Sequence, residues 1–219
     1  AIISVEALIS RANANWAAAA YPAAIVWIAG RFAGGRGPVL LASSAGLHAV
    51  IAALAFAAIL SPPFADAIGL GNSLKRSRGW EASAAAISAE ARAQGKLRAV
   101  MVDNRLLYYD LAYYWRGGRA PAPLRMWQLE ESPGNSAEMS APMTPAYGAR
   151  TLIVMASPSY RDFIFEDFET AHGAGELSIP LGGKKIRKLD LAVGSGFAPA
   201  PRDGAFKARL EARRRGDED

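Results

Sequence analysis

The chain has 219 residues, of which 25 are basic and 20 acidic, giving a formal net charge of +5, and it contains no cysteine. The missing cysteines exclude a disulfide framework, a thiol nucleophile and a thiolate metal site. The basic residues sit among acids rather than along an aromatic-studded stripe, so nucleic-acid binding is not indicated. The charge is also unevenly placed: up to Ser61 there are three arginines (Arg11, Arg31, Arg36) and one acid (Glu6), and the other 22 basic and 19 acidic residues all follow.

The chain begins Ala1-Ile2-Ile3, without an initiator Met or the charged opening of a signal peptide. This start reads as a cut in a longer protein. From Ala12 to Gly30 no residue is charged; Arg11 and Arg31 bound the stretch, and Trp16, Tyr21 and Trp27 stand where interfacial aromatics belong. It predicts a first span at about 12–32, the weaker of two, because Asn13 and Asn15 make its start polar and Pro22 kinks or restarts a helix. Ala33-Gly34-Gly35-Arg36-Gly37 is a short hairpin connection. Pro38 to Leu60 then gives 23 residues without a formal charge, enough at about 1.5 Å per residue to cross a hydrocarbon core of about 30 Å. Ser61-Pro62-Pro63 stops this second span.

Beyond Leu74-Lys75-Arg76-Ser77-Arg78 the pattern is that of a soluble domain. Trp80 to Gln94 places Trp80, Ala84, Ile87 and Ala91 on one face and predicts an amphipathic helix closed by Gly95. Leu97 to Val102 reads as a buried strand ending in Asp103-Asn104. Arg105 to Trp115 reads as a helix, Leu124 to Leu129 as a strand, and Pro133-Gly134-Asn135 as a turn. Thr151 to Ala156 is the clearest strand, followed by a short helix opened by Ser157 and Pro158. Glu176 to Leu181 and Lys184 to Val193, joined by Gly182-Gly183, predict a β-hairpin.

The expected fold class is therefore an α/β soluble domain, with a short, mainly parallel sheet, helices and a C-terminal hairpin, preceded by two transmembrane helices. The expected divisions are a membrane segment over 1–61, an extracytoplasmic domain over 62–198 and a disordered tail over 199–219. Arg213-Arg214-Arg215, followed by Asp217-Glu218-Asp219, reads as a solvated, frayed end.

Few residues converge on chemistry. His48 and His172 have no partner at metal-ligand spacing, so no metal site is expected; His48, inside an apolar span, reads as a helix-packing residue. Gly194 and Gly196 form only a GSG fragment of a dinucleotide loop, and Ser157 and Ser159 lack a nucleophile elbow. No cofactor is implied. Asp103, Asn104 and Arg105 lie at the C-terminal end of a predicted strand, where open α/β sheets bind ligands; the competing reading is that Asp103 or Asn104 caps the next helix. Tyr108, Tyr109, Tyr113, Tyr114 and Trp115 cover two faces of one helix, one suited to the core and the other to a neighbouring layer, a headgroup region or a sugar ring. Asn13, Asn15 and Trp16, at the start of the first span, read either as a polar helix start or as the lining of a lipid-linked substrate cleft.

Asn15-Trp16-Ala-Ala-Ala-Ala-Tyr21 resembles the "NW-x-A-x-A-Y" segment that opens a late transmembrane helix of bacterial family 39 glycosyltransferases, relatives of protein O-mannosyltransferases and lipid A aminoarabinose transferases. Arg78-Gly79-Trp80, the Ala-rich helix, Val102-Asp103-Asn104-Arg105 and Leu111-Ala-Tyr-Tyr114 are similar to the extracytoplasmic C-terminal domain of that family. The resemblance runs from about Arg11 to Ala156. It implies a multi-span bacterial inner-membrane enzyme of GT-C architecture that uses a polyprenyl-phosphate-linked sugar, with this chain as its last two spans and periplasmic domain. The implied partners are membrane lipid, the lipid-linked donor and an acceptor of unspecified kind. The family's catalytic acid lies in the first extracytoplasmic loop, outside this sequence, so no catalytic residue is assigned and the chain alone is expected to be inactive. The implied orientation places the Arg31 to Arg36 loop in the cytoplasm and leaves Lys75, Arg76 and Arg78 to meet lipid phosphates outside. The alternative is a non-enzymatic, membrane-anchored periplasmic binding or scaffold domain.

Overall fold

The computed structural model describes residues 21–33 and 37–216, and the chain divides into two compact units, Ala1–Ser61 and Pro62–Asp219.

In the first unit, helix α1 covers Tyr21–Arg31 and helix α2 covers Gly37–Leu60. The 24 residues of α2 span about 36 Å. They include no Asp, Glu, Lys or Arg, and the most apolar stretch of the helix has no buried residue. An apolar surface on every side of a helix is one that water disfavours and lipid accepts. One nitrogen of its imidazole is partnered locally: His48 Nδ1 lies 2.7 Å from the Ser44 carbonyl oxygen one turn back, which suits an apolar surrounding. Among the described residues α2 is the one helix long and apolar enough to cross a membrane, where two had been expected. The 11 described residues of α1 reach only about 16 Å, and the polar start of the expected first span, with Asn13, Asn15 and Trp16, lies outside the described residues.

The second unit is a five-stranded sheet with helices on both faces. Short helices α3 (Pro62–Ala67) and α4 (Gly71–Leu74) and a 3-10 turn lead into α5 (Trp80–Ala93). Then follow β1 (Ala99–Val102), α6 (Arg105–Tyr114), β2 (Leu124–Met126), α7 (Ser136–Ser140), β3 (Thr151–Met155), α8 (Arg161–Glu166), β4 (Phe168–Pro180), β5 (Ile186–Phe197) and α9 (Gly204–Gly216). The strand order is β2-β1-β3-β5-β4. β1 pairs in parallel with β2 and β3, whereas β5 pairs antiparallel with β3 and with β4. The sheet is thus mixed rather than mainly parallel, because the hairpin extends the sheet instead of standing apart from it.

Alternation along the central strands builds two cores. Val100, Val102, Leu152, Val154, Leu191 and Val193 face Ile87 of α5 and Leu107 and Leu111 of α6. Met101, Ile153, Met155 and Ala192 face Phe163 and Ile164 of α8 and Phe206 and Leu210 of α9. Each large side chain removed from water in this way contributes about 1.5–3 kcal/mol.

The segment from Pro199, expected as a disordered tail, forms a strap and a helix. Asp203 Oδ1 accepts the Phe206 N–H at 2.9 Å and caps α9, and Phe206 and Leu210, one turn apart, are buried. The strap before it is fixed by Asp167, which is fully buried. Its carboxylate accepts Trp127 Nε1 at 2.7 Å, Ala200 N at 2.8 Å, and both terminal nitrogens of Arg202 at 2.8 and 2.6 Å. A buried carboxylate must be paired and hydrogen-bonded to be tolerated, and this one is met by four donors.

Candidate functional site

The parallel strands β1 and β3 lie side by side, but the helices that follow them pack on opposite faces, α6 on one and α8 on the other. The backbones therefore diverge beyond the strand ends and leave the crevice in which open α/β sheets bind ligands. Asp103, the first residue after β1, stands in it. Its carboxylate accepts the N–H of Ala156 at 2.8 Å and of Ser157 at 3.0 Å, tying the β3 exit to the β1 exit. Burial pushes this carboxyl up to about 6, against the lowering effect of those N–H groups, and Asp190 adds a smaller repulsion from β5.

Asn104 is the cap of α6: its Oδ1 accepts the Leu106 N–H at 2.9 Å. Of the two possible caps, the structure uses Asn104; Asp103 instead braces the two strand ends. Arg105 is exposed and is not among the residues lining the adjoining cleft.

That cleft, about 300 Å³, opens beside Asn104 and Ala156 and is walled by the start of α5 and the beginning of β5. Arg187, half-buried, lines it, with its guanidinium carbon 3.4 Å from the Trp80 ring centroid. Arg187 donates to Ser83 Oγ at 2.8 Å and to the Arg78 carbonyl at 2.9 Å. Trp80 is fixed in turn by its Nε1, which donates to the Arg76 carbonyl at 2.8 Å. Burial lowers the affinity of Arg187 for its proton and Asp110 partly restores it, but a guanidinium remains charged throughout the physiological range. Lys75, Arg76 and Lys188 line the same cleft, the last paired with Glu176 at 3.3 Å. A planar cation held by neutral acceptors and an indole face, with further cations at the rim, can take an anion such as a phosphate.

Asp103 and Asn104 are legible in the sequence, whereas Arg187 and Trp80 as a pair are not. They lie more than a hundred positions apart, and nothing local in "KKIRK" singles out the third basic residue. The tyrosines of α6 divide as read: Tyr108 and Tyr114 pack on the core, while Tyr109 and Tyr113 are exposed, Tyr109 bonded to Ser136 Oγ and Tyr113 stacked under Arg116. Gly194 and Gly196 belong to β5 rather than to a phosphate loop. A side chain at Gly194 would collide with the Phe168 ring, and Gly196, at φ +71°, donates its N–H to Gly148. Among the described residues no group of three or more His, Asp or Glu could hold a metal ion.

No family model, curated protein or solved structure matches this chain.

Proposed function

We propose that the chain is the C-terminal part of an integral membrane glycosyltransferase that takes its sugar from a polyprenyl-phosphate donor. In this reading 12–32 and 38–60 are the last two spans in a bacterial inner membrane, the unit from Pro62 lies in the periplasm, and the catalytic acid belongs to an earlier loop. The observation that carries it is the uncharged helix Gly37–Leu60, followed within two residues by an α/β unit whose cleft presents cations rather than acids. Such a unit would shape access to the donor phosphate or to the acceptor, leaving bond breaking to residues elsewhere. The test is to incubate membranes holding the complete transferase with labelled polyprenyl-phosphate sugar. Transfer of label to lipid, glycan or protein, lost when an acid of the first outer loop is replaced, supports the reading; no transfer to any acceptor pool rejects it.

A second reading is a membrane-anchored binding or scaffold domain. It is favoured by Asp103, whose two oxygens are spent on backbone N–H groups. The groups that do converge, Arg187 and Trp80, bind rather than react. A complete gene product that integrates into membranes and retains an anion without transferring sugar would establish it.

A further inference from the structure

We propose that the end of the α/β unit made by residues 62–76 and the β4–β5 turn docks on an anionic lipid surface. Lys75, Arg76, Lys184 and Lys185 would meet headgroup phosphates, and Ile68, Leu70 and Ile186 would enter the headgroup layer. The proposal rests on reading Gly37–Leu60 as a membrane span, and it adds the turn at 182–186, which the sequence alone does not bring near the membrane.

Chain continuity supplies the first support. Pro62 follows Leu60 by two residues, so their Cα atoms lie within about 7 Å of each other. If α2 crosses the bilayer, Pro62 stands at headgroup depth. The β4–β5 turn is fastened to that point: the Lys184 N–H donates to Asp66 Oδ2 at 2.7 Å, and a Cβ on Gly182 would fall 2.6 Å from Pro62 Cγ.

Charge and exposure supply the second. Segments 62–78 and 181–188 together hold seven basic residues and one acid, Asp66, whose carboxylate is engaged by the turn itself. Lys75, Arg76 and Lys184 are exposed. Ile186 is 58% exposed, Ile68 44% and Leu70 40%. Cations with long apolar stems beside exposed branched aliphatics suit the boundary between phosphate and acyl chain, where anionic lipid attracts each basic residue.

The chain has no cysteine, so a single environment-sensitive dye can be placed at Ile186→Cys or, as a control by the opposite edge of the sheet, at Met139→Cys, which is 71% exposed. The full chain is reconstituted in nanodiscs of phosphatidylcholine with or without phosphatidylglycerol, and quenching by neutral acrylamide is measured. The expected result is a several-fold drop in quenching at 186 in the anionic discs, no change at 139, and reversal by Lys184→Glu with Lys185→Glu. Equal quenching at 186 in both discs overturns the docking while leaving the span intact. A chain that does not enter discs overturns both. An equal drop produced by inorganic phosphate in detergent would show a free-anion site and overturn the lipid-surface reading.

Discussion

Replacing Arg202 with Ala removes two of the four donors that satisfy Asp167. The carboxylate is fully buried, so the loss leaves an under-compensated charge in a low-dielectric interior, at a cost of about 3–5 kcal/mol. The bond from Arg202 to the Gln128 carbonyl at 3.0 Å and its stacking 4.5 Å from the Phe206 ring centroid disappear with it. For a chain of this size each kcal/mol moves the melting temperature by about 2–4 °C, so the variant should melt roughly 6–20 °C lower. Arg202→Lys should fall between the two, since an ammonium keeps the charge but not the two-pronged geometry. Arg213→Ala is the comparison: it breaks an ion pair with Asp162 at 2.9 Å whose partners are 42% and 73% exposed, worth at most about 1 kcal/mol. The assay is thermal unfolding of the full chain in detergent followed by tryptophan emission, because Trp127 Nε1 is itself bonded to Asp167. Trypsin cleavage at Lys207 should rise in parallel. If Arg202→Ala melts together with Arg213→Ala, the strap is not held by this pair and the account of the C-terminal segment is wrong.

Burial raises the Asp103 carboxyl from 3.8 to about 6, so between these values the folded chain keeps a proton that the unfolded chain has lost. Stability then falls as pH rises through that window, by up to about 3 kcal/mol; denaturant titrations from pH 4 to 7 should show this slope, and Asp103→Asn should flatten it. Val50→Arg, near the middle of α2, should lower the fraction of chains in which α2 is inserted, read by protease accessibility of the unit from Pro62 in fractionated cells, since a central arginine costs about 2.5–3.5 kcal/mol on insertion. Asn135→Ala should cost about 1 kcal/mol and speed amide exchange over 136–140, because Asn135 Oδ1 accepts the N–H groups of Ala137 and Glu138.

What the sequence disclosed follows the strength of local pattern. The helix at Trp80 and the strands at Ala99 and Thr151 were legible because apolar spacing over a few residues is enough to define them. The hairpin was read as short because β4, at the edge of the sheet, keeps most of its residues from Glu169 to Glu176 exposed and includes two glycines, so alternation is faint. Pairing of β5 with β3 depends on contacts some forty residues apart and left no local trace. The α9 helix was hidden by its own charge: Phe206 and Leu210 are the apolar pair in a run of basic and acidic residues, although Asp203 ahead of them is an ordinary capping signal. In the cleft, Asn104 was legible as a cap. Arg187 acquired meaning only when the fold set it against Trp80, and Asp103 proved to brace two strand ends, a role that one strand's sequence cannot express.

The central claim is that Gly37–Leu60 holds this α/β unit at a bilayer. Alkaline carbonate extraction of membranes from cells producing the full chain tests it most directly. The protein is expected to stay with the membrane pellet. Recovery of the unaltered chain in the supernatant would contradict the span, and with it both the transferase reading and the docking of the β4–β5 turn.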